Sequence, residues 1–350
     1  MHEEGSRVPG GVLTPVVRRR RRRSAPKTVL LVLVVLGAAA AAGYFLHAHL
    51  TRQPAAAASP RAAATARKPS PTPRPTPTPR RPAPKTAALL TAAKGPVRPL
   101  RRRPAARGAI VVDGGTGRVL WAFRPHRRLP VASTTKIMTA LVALESLQPN
   151  ALVRVAPAAT RVPLVKEGLR PRERVRVWKL LDGLLVYSGN DDAMTLALAA
   201  AGTRRAFLAR MNAKARELGL HDTHFSSVSG VIDRGNYASA WDLAALARVA
   251  LRNPLFRSVV RKRIAHVRWS APTFEKVYVN KNPLLGTYRG ANGVKTGWTT
   301  LAGHCLVASA TRGGLTIIAV VLHDANAPAD ARRLLDLGFS RAPAPAAGRR

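Results

Sequence analysis

A segment rich in proline, alanine and basic residues constrains more than any other feature what this chain can fold into. Residues 54–106 include the run KPSPTPRPTPTPRRPAPK and lack the periodic aliphatic and aromatic positions that a packed core requires. We predict a disordered or polyproline-like tether over residues 47–106, with a reach on the order of 150 Å. All five tryptophans lie at or after Trp121. The folded part is therefore expected to be one domain over residues 107–340, followed by a disordered tail over residues 341–350.

An uncharged apolar segment precedes the tether. Residues 28–46 read TVLLVLVVLGAAAAAGYFL, which is long enough to cross a hydrocarbon core of about 30 Å as a helix. Six consecutive arginines at 18–23 indicate that the basic tail, residues 1–27, is cytoplasmic. We expect a signal-anchor and a single-pass protein of the cell membrane whose domain is extracytoplasmic. A cleaved signal, favoured by the small residues that end the apolar run, is the alternative and predicts a secreted protein.

The chain is strongly basic, with 58 lysines and arginines against 17 acidic residues. Residues 1–106 contribute 21 basic and 2 acidic residues, and the rest of the chain contributes 37 and 15. Such a surface attracts any polyanion, so that wall polymers and acidic lipids are partners as suitable as nucleic acid. No helix-turn-helix, zinc-finger or RNA-recognition motif accompanies the charge, and we predict no nucleic-acid function.

The cysteine and histidine patterns predict no metal site. Cys305 is the only cysteine, so an intramolecular disulfide is impossible, and we expect a small buried side chain there. His221 and His224 flank Asp222, but no third or fourth ligand is evident in the sequence. A solvated turn is our interpretation of this segment.

The apolar patterns of residues 107–340 predict an α+β fold. Residues 109–113 and 118–122 are typical of two strands joined by a glycine-rich turn, and a second hairpin is predicted from 303–311 and 315–322. Helical spacing occurs in six segments, at 134–148, 176–188, 191–201, 203–218, 240–251 and 330–337. Strands at both ends of the domain indicate a sheet assembled from its two termini and covered by a helical middle.

Three short motifs offer side chains suited to acyl transfer. Ser133 and Lys136 stand three positions apart at a predicted helix start, which lets the amine approach the hydroxyl. A hydroxyl needs a base beside it, and a lysine whose charge is disfavoured by its surroundings can supply one. A simple helix cap is the alternative explanation of this pair.

The other two motifs add groups that can bind a substrate. The run Ser188-Gly189-Asn190 supplies a hydroxyl and an amide between two helical patterns. Lys295 and Thr296 offer a cation and a hydroxyl to a carboxylate, and Gly297 lets substrate backbone approach closely. Each motif is weak alone, whereas coincidence of all three in this order is improbable.

Together the motifs resemble the active-site set of the penicillin-binding proteins and serine β-lactamases. Their surroundings are similar to those of the low-molecular-mass D-alanyl-D-alanine carboxypeptidases in the runs ASTTKIMTAL (132–141), SGNDDA (188–193), NYASAWDL (236–243) and GVKTGWTTLAG (293–303). The resemblance covers residues 107–340. It implies a β-lactamase/transpeptidase-like fold, with an antiparallel sheet flanked by helices and a helical subdomain.

The resemblance also implies catalytic roles. Ser133 would attack the carbonyl between the last two D-alanines of a peptidoglycan stem peptide and form an acyl-enzyme. Lys136 would accept its proton, and Ser188 would relay a proton to the leaving D-alanine. The backbone N–H groups of Ser133 and Trp298 would form the oxyanion hole. β-Lactam antibiotics would acylate the same serine, and no cofactor is implied.

The remaining motif residues would bind substrate. Asn190 would hold the substrate amide and steady Lys136, and Lys295 and Thr296 would grip the terminal carboxylate beside Gly297. The chain departs from the family pattern at Asp192, Val231 and Trp298, positions that bear on fine substrate preference and on the rim of the acyl pocket. Because the sequence ends about ten residues after Phe339, we expect no carboxy-terminal β domain and assign anchoring to the amino-terminal segment.

Other functions are compatible with parts of this pattern. A D,D-endopeptidase would use the same residues on cross-linked peptides. A β-lactamase needs rapid deacylation, which is often performed by a glutamate with an asparagine four positions later. The glutamates between the second and third motifs, Glu217 and Glu275, have His221 and Val279 at that distance. A non-catalytic wall-binding protein, which the basic tether favours, predicts that Ser133→Ala leaves the cellular role intact.

Overall fold

The computed structural model describes residues 89–92, 104–231, 235–269 and 274–342. The expected basic tail (1–27) and signal-anchor (28–46) lie outside these ranges. Within the described ranges, no helix is both long and apolar enough to cross a bilayer. The membrane anchor therefore stays a prediction.

A five-stranded antiparallel sheet forms the centre of the domain. In spatial order its strands are β2 (Val119–Phe123), β1 (Gly108–Asp113), β11 (Leu315–Asp324), β10 (Gly303–Arg312) and β9 (Ala291–Thr299). β1 pairs with β11 and places Gly108 opposite Leu322, so the first and last strands lie side by side. Both predicted hairpins are present, and the sheet is built from the two termini of the domain as predicted.

Eight α-helices are found in the described residues. They are α1 (Lys136–Ser146), α2 (Pro157–Thr160), α3 (Val177–Asp182), α4 (Asn190–Ala201), α5 (Arg204–Glu217), α6 (Ala240–Ala250), α7 (Pro254–Val260) and α8 (Ala327–Arg341). A 3₁₀ turn, Ala132–Thr135, leads into α1, and a π-helical turn, Gly183–Tyr187, follows α3. The α+β class is therefore confirmed.

The central sheet is buried on both faces, and alternate residues of β11 pack against different layers. Ile318, Val320 and Leu322 belong to the larger hydrophobic cluster, which includes residues of α1, α4 and α6. Ile317 and Val321 belong to a second cluster formed with α8. The helical middle and the last helix thus hold the sheet between them, and this order of layers determines where the ends of β9 and α1 meet.

Several elements were not predicted from the sequence. Three two-stranded sheets pair β3 (Leu129–Pro130) with β6 (Tyr237–Ala238), β4 (Leu152–Arg154) with β5 (Arg174–Arg176), and β7 (Ile264–Val267) with β8 (Lys276–Val279). These strands have two to four residues, too few for an alternating pattern to stand out. The segment predicted as one helix at 176–188 is instead α3 followed by the π-helical turn.

Two parts of the predicted tether, residues 89–92 and 104–106, are ordered. In the second part Ala106 is buried, and Ala105 donates its backbone N–H to the Asp330 carboxylate at 2.9 Å. Thr91 donates its backbone N–H to the Gly117 carbonyl at 3.0 Å and accepts from Val119 at 3.0 Å. Leu90 is buried in the larger cluster, and Arg248 donates to the Leu89 carbonyl at 2.9 Å. The prediction of disorder was wrong for residues 89–92, because two adjacent leucines in this polar segment find an apolar site on the domain.

Candidate active site

The 3₁₀ turn that carries Ser133 lies directly against strand β9. A Cβ atom placed on Gly297 would lie 2.8 Å from the Val131 carbonyl oxygen and 2.9 Å from the Ser133 nitrogen. Only glycine therefore allows the strand to approach the turn this closely. Ala132 has a φ of 45°, a left-handed conformation that is unusual for alanine and common at functional sites. The first and third motifs are in contact at this point.

Lys136 is fully buried at the first turn of α1, and its amine lies among three oxygen atoms. Its Nζ is 2.9 Å from Ser133 Oγ, 2.8 Å from Asn190 Oδ1 and 3.3 Å from the Ser229 carbonyl. Burial, and then the positive charges of Lys295 and Lys281, hold the pKa of Lys136 well below its usual value. The surroundings therefore favour the neutral amine.

The three partners of Lys136 also determine where its lone pair points. The Asn190 side-chain oxygen and the Ser229 carbonyl can only accept hydrogen bonds. A neutral amine has two N–H bonds, which these two acceptors satisfy. Its lone pair is then left for the Ser133 hydroxyl, which donates. This arrangement is that of a general base beside a nucleophile.

Asn190 connects the base to the rest of the cleft. Besides accepting from Lys136, its side chain donates to the Pro163 carbonyl at 2.9 Å, and its backbone N–H donates to the Val165 carbonyl at 2.8 Å. Ser188 precedes it with a φ of 78°, directly after the π-helical turn. The turn thus brings the second motif to the other side of the cleft, where Ser188 and Ser133 line the same cavity.

The third motif supplies a second buried lysine. Lys295 donates to the Thr296 carbonyl at 3.1 Å, and burial, together with the charge of Lys281, lowers its pKa to about 7. Thr296 and Gly297 line a cavity of about 330 Å³ with both serines, and Trp298 lies at its rim with 61% of its surface exposed. Five of the eight predicted site residues therefore line this cavity: Ser133, Ser188, Thr296, Gly297 and Trp298. Lys136 reaches it through its bonds to Ser133 and Asn190, and Lys295 is buried beside Thr296.

Comparison with known proteins agrees with this geometry. The sequence pattern of the family described as D-alanyl-D-alanine carboxypeptidase matches residues 95–326. The chain belongs to this family.

Two relatives in the D-alanyl-D-alanine carboxypeptidase family illustrate the similarity. The chain is 34% identical over 247 residues to the carboxypeptidase DacF of Bacillus subtilis, a match that covers 67% of this chain and 62% of the relative. It is 36% identical over 259 residues to the D-alanyl-D-alanine carboxypeptidase of Streptomyces sp. K15, covering 67% of this chain and 88% of the relative.

The fold is similar to that of solved members. The crystal structure of the Streptomyces K15 DD-transpeptidase superposes with a TM-score of 0.65 at 34% identity, covering 69% of this chain and 99% of that chain. The β-lactamase/transpeptidase-like fold expected from the motifs is thus confirmed.

One cleft residue was missed by the sequence analysis. Lys281 lines the same cavity as Ser188 and Thr296, and its ammonium lies 5.5 Å from the centre of the Tyr187 ring. Partial burial lowers its pKa. With 58 lysines and arginines in the chain, no pattern distinguishes this one, and only the fold of the segment between β8 and β9 reveals it.

The departures at Asp192 and Val231 have different consequences. Val231 lines a second cavity beside Ser133. Asp192 is fully buried, with neither carboxylate oxygen bonded to another described residue, and burial raises its pKa well above the usual value. A Cβ on Gly183 or Gly189 would lie within 2.5 Å of these oxygens, so two glycines make room for the carboxyl group. Asp192 itself lines neither of the two cavities beside Ser133.

The segment at 221–224 forms contacts unrelated to the cleft. Asp222 binds Arg128 at 3.1 Å and His126 at 3.2 Å, and the His224 ring packs against Tyr237. Across the described part of the chain, no group of three or more potential metal ligands was found. Cys305 is buried as predicted, and burial raises the pKa of its thiol to about 12.

Proposed function

We propose that this chain hydrolyses the terminal D-alanyl-D-alanine bond of peptidoglycan stem pentapeptides through an acyl-enzyme on Ser133. The observation that carries the proposal is the environment of the Lys136 amine, buried between two hydrogen-bond acceptors with its lone pair left for Ser133. Membership in the carboxypeptidase family supports the substrate class.

Acylation begins when Ser133 Oγ attacks the carbonyl carbon between the two D-alanines and its proton passes to Lys136. The resulting ammonium keeps Asn190 Oδ1 and the Ser229 carbonyl as acceptors. The oxyanion accepts from the backbone N–H groups of Ser133 and Trp298, whose segments Gly297 holds in contact. Removing one such donor costs on the order of 10²–10³ in rate in other acyl-transfer enzymes.

Collapse of the tetrahedral intermediate breaks the C–N bond. The leaving amine takes a proton through the Ser188 hydroxyl, which Lys136 restores. Water then attacks the ester carbonyl and gives a proton to Lys136. Lys136 returns this proton to Ser133 Oγ as the C–O bond breaks, which releases the shortened stem peptide and restores the neutral amine.

The substrate carboxylate is bound in the half of the cleft that contains positive charge. Lys295 has a pKa of about 7 in the free enzyme, so arrival of a carboxylate favours its charged form. Thr296, the neighbour of Lys295, lines the cavity beside Ser133 together with Lys281. Although burial disfavours the charge of the Lys295 amine, a bound substrate carboxylate would restore it.

The experiment uses the full-length protein and a synthetic stem pentapeptide. Mass spectrometry is expected to show loss of one alanine, and benzylpenicillin is expected to add its whole mass to a peptide that contains Ser133. The Ser133→Ala variant should show neither. If the native chain yields neither product nor adduct, the proposal is wrong, whereas cleavage of cross-linked dimers only would indicate an endopeptidase.

We also propose that residues 28–46 anchor the enzyme in the membrane with the domain outside the cytoplasm. The arginine block and the uncharged apolar run support this orientation. Alkaline extraction of membranes should leave the chain in the pellet, and its amino terminus should be intact. A soluble product that lacks the apolar run would show cleavage instead.

A further inference from the structure

A cavity of about 230 Å³ lies at one end of the central sheet and shares no lining residue with the two cavities beside Ser133. It is formed where the turn after β1 and the adjoining ends of β9, β10 and β11 meet the connection between α6 and α7. Three of its lining residues are Arg248, Arg252 and Arg257, and no described acidic residue lines it. We call it the arginine cavity.

Arg248 is fixed in place by uncharged partners. Its Nε donates to the Gly114 carbonyl at 3.0 Å, its Nη1 to the Leu89 carbonyl at 2.9 Å and its Nη2 to the Gly115 carbonyl at 2.5 Å. A guanidinium has five N–H donors, so two remain for a ligand. Because the three acceptors are carbonyl groups, they orient the guanidinium without neutralising its charge.

The positive charge of the arginine cavity is not balanced by an ion pair in the described residues. Arg257 donates to the Leu251 carbonyl at 2.8 Å, and the Arg252 side chain has no described hydrogen-bond partner. None of the three arginines forms an ion pair with a described carboxylate. The charge of Arg252 lowers the pKa of Arg248, and Asp113, which raises it, does not line the cavity. A bound anion would relieve this repulsion.

The floor of the arginine cavity adds a hydroxyl donor. Thr311 Oγ1 accepts from the Asn292 amide at 2.7 Å and lies 2.8 Å from Thr316 Oγ1. One hydroxyl proton joins the two threonines, which leaves the other proton for a ligand. Guanidinium groups and a hydroxyl directed at one small space suit an anion with several acceptor oxygens, as a phosphate group has.

We propose that the arginine cavity binds a phosphodiester group of an anionic wall polymer of the polyol phosphate class. Leu251 and Ile318, the apolar residues of its lining, are not exposed, so the cavity offers no large side chain for insertion into a lipid surface. The Leu89 carbonyl binds Arg248, and residues 47–88, which precede it in the chain, include eight basic residues and no acidic one. Successive phosphates of a polymer can be attracted by this charge, which favours a polymer over a single ion.

Binding of a fluorescent glycerol phosphate oligomer to the full-length protein tests the proposal. In salt of about 0.15 M, the double variant Arg252→Gln/Arg257→Gln is expected to bind the oligomer at least about tenfold more weakly than the native chain. Arg252→Gln alone, which removes no described side-chain hydrogen bond, should weaken binding about threefold.

A charge-matched control separates this site from the general basic surface. Arg204 and Arg205 are exposed at the start of α5 and line no cavity beside the arginines. Arg204→Gln/Arg205→Gln removes the same net charge and should weaken binding by less than about twofold. Acylation of Ser133 by benzylpenicillin should be native in both double variants, since neither pair of arginines lines the cavities beside Ser133.

A second measurement locates the ligand. Inorganic phosphate, compared with chloride at equal ionic strength, should slow the modification of Arg252 by phenylglyoxal severalfold, as read by peptide mass spectrometry. Modification of Arg205 should keep its rate.

Equal loss of oligomer binding in the two double variants would assign binding to net charge and overturn the proposal. Equal affinity for an oligoglutamate of the same charge would overturn the choice of phosphate. If Arg252→Gln/Arg257→Gln loses binding to phosphatidylglycerol vesicles but keeps binding to the oligomer, the ligand is a lipid headgroup and the proposed polymer is wrong. None of these results bears on the proposed function, which depends on acylation of Ser133.

Discussion

Two buried lysines, one in the first motif and one in the third, differ in their surroundings although they are the same residue type. Lys136 and Lys295 are 0% and 2% exposed, and burial lowers the pKa of both. Lys136 has two side-chain partners and a carbonyl, whereas the Lys295 amine contacts its neighbour's carbonyl. We propose that the first accepts a proton and that the second binds the anionic end of the substrate. Burial alone therefore does not make a lysine a general base. The orientation of its hydrogen-bond partners determines whether its lone pair is directed at the nucleophile.

The strongest test of this difference is Lys136→Arg. A guanidinium keeps positive charge and hydrogen-bond donors but cannot act as a base near neutral pH. The second-order rate of acylation by benzylpenicillin, followed by intact mass, is expected to fall by at least about 10³-fold. Lys166→Arg, on the exposed surface, is the matched control and should keep the native rate. Near-native acylation by Lys136→Arg would mean that Lys136 is not the base.

Lys295→Met should have a smaller effect that depends on the substrate. Loss of a charge-assisted contact to the terminal carboxylate is expected to lower kcat/KM for the pentapeptide by about 10–100-fold. With a peptide that ends in a carboxamide, the native enzyme and the variant should differ by less than about threefold. An equal loss on both peptides would assign Lys295 to catalysis and remove the contrast with Lys136.

The pH dependence of kcat/KM distinguishes the two lysines in the native enzyme. Activity should rise with pH as Lys136 loses its proton, and fall again near pH 7 as free Lys295 becomes neutral. The alkaline limb of kcat should lie at higher pH, because a bound carboxylate favours charged Lys295. In Lys295→Arg the alkaline limb of kcat/KM should move up by more than about one pH unit. An alkaline limb that does not move in this variant would contradict the assignment.

The smallest effect is expected for Asp192→Asn. Burial holds the pKa of Asp192 well above its usual value, so this carboxyl group carries little charge where Lys136 titrates. Any remaining negative charge raises the pKa of Lys136, so its removal should shift the acid limb of kcat/KM to lower pH by less than about one unit. The alkaline limb that reports Lys295 should stay in place, because Asp192 is not among the groups that shift its pKa. Equal movement of both limbs would indicate a general change in the cleft.

Much of the fold was predictable because it is encoded locally. Helix α4 starts within one residue of its predicted position, and β1, β10 and β11 follow their apolar runs. The short strands were missed because an isolated buried pair such as Val153 and Val175, each between two exposed residues, gives too little pattern. Residues 89–92 were missed because their order depends on a distant surface of the domain.

The sequence by itself determined which residues form the three motifs. It also supplied Gly297, without which the first and third motifs could not be in contact. The chemistry of the motifs could be predicted because it depends on residue type and local spacing, which are properties of the sequence itself. Only the tertiary structure decided that Lys136 and Lys295 are buried and that Lys281 lines the cleft. It also decided that exposed apolar side chains, among them Trp298 and Leu301, line a cavity together with Ser133. Desolvation and long-range charge depend on what packs around a group, and segments distant in sequence supply that packing.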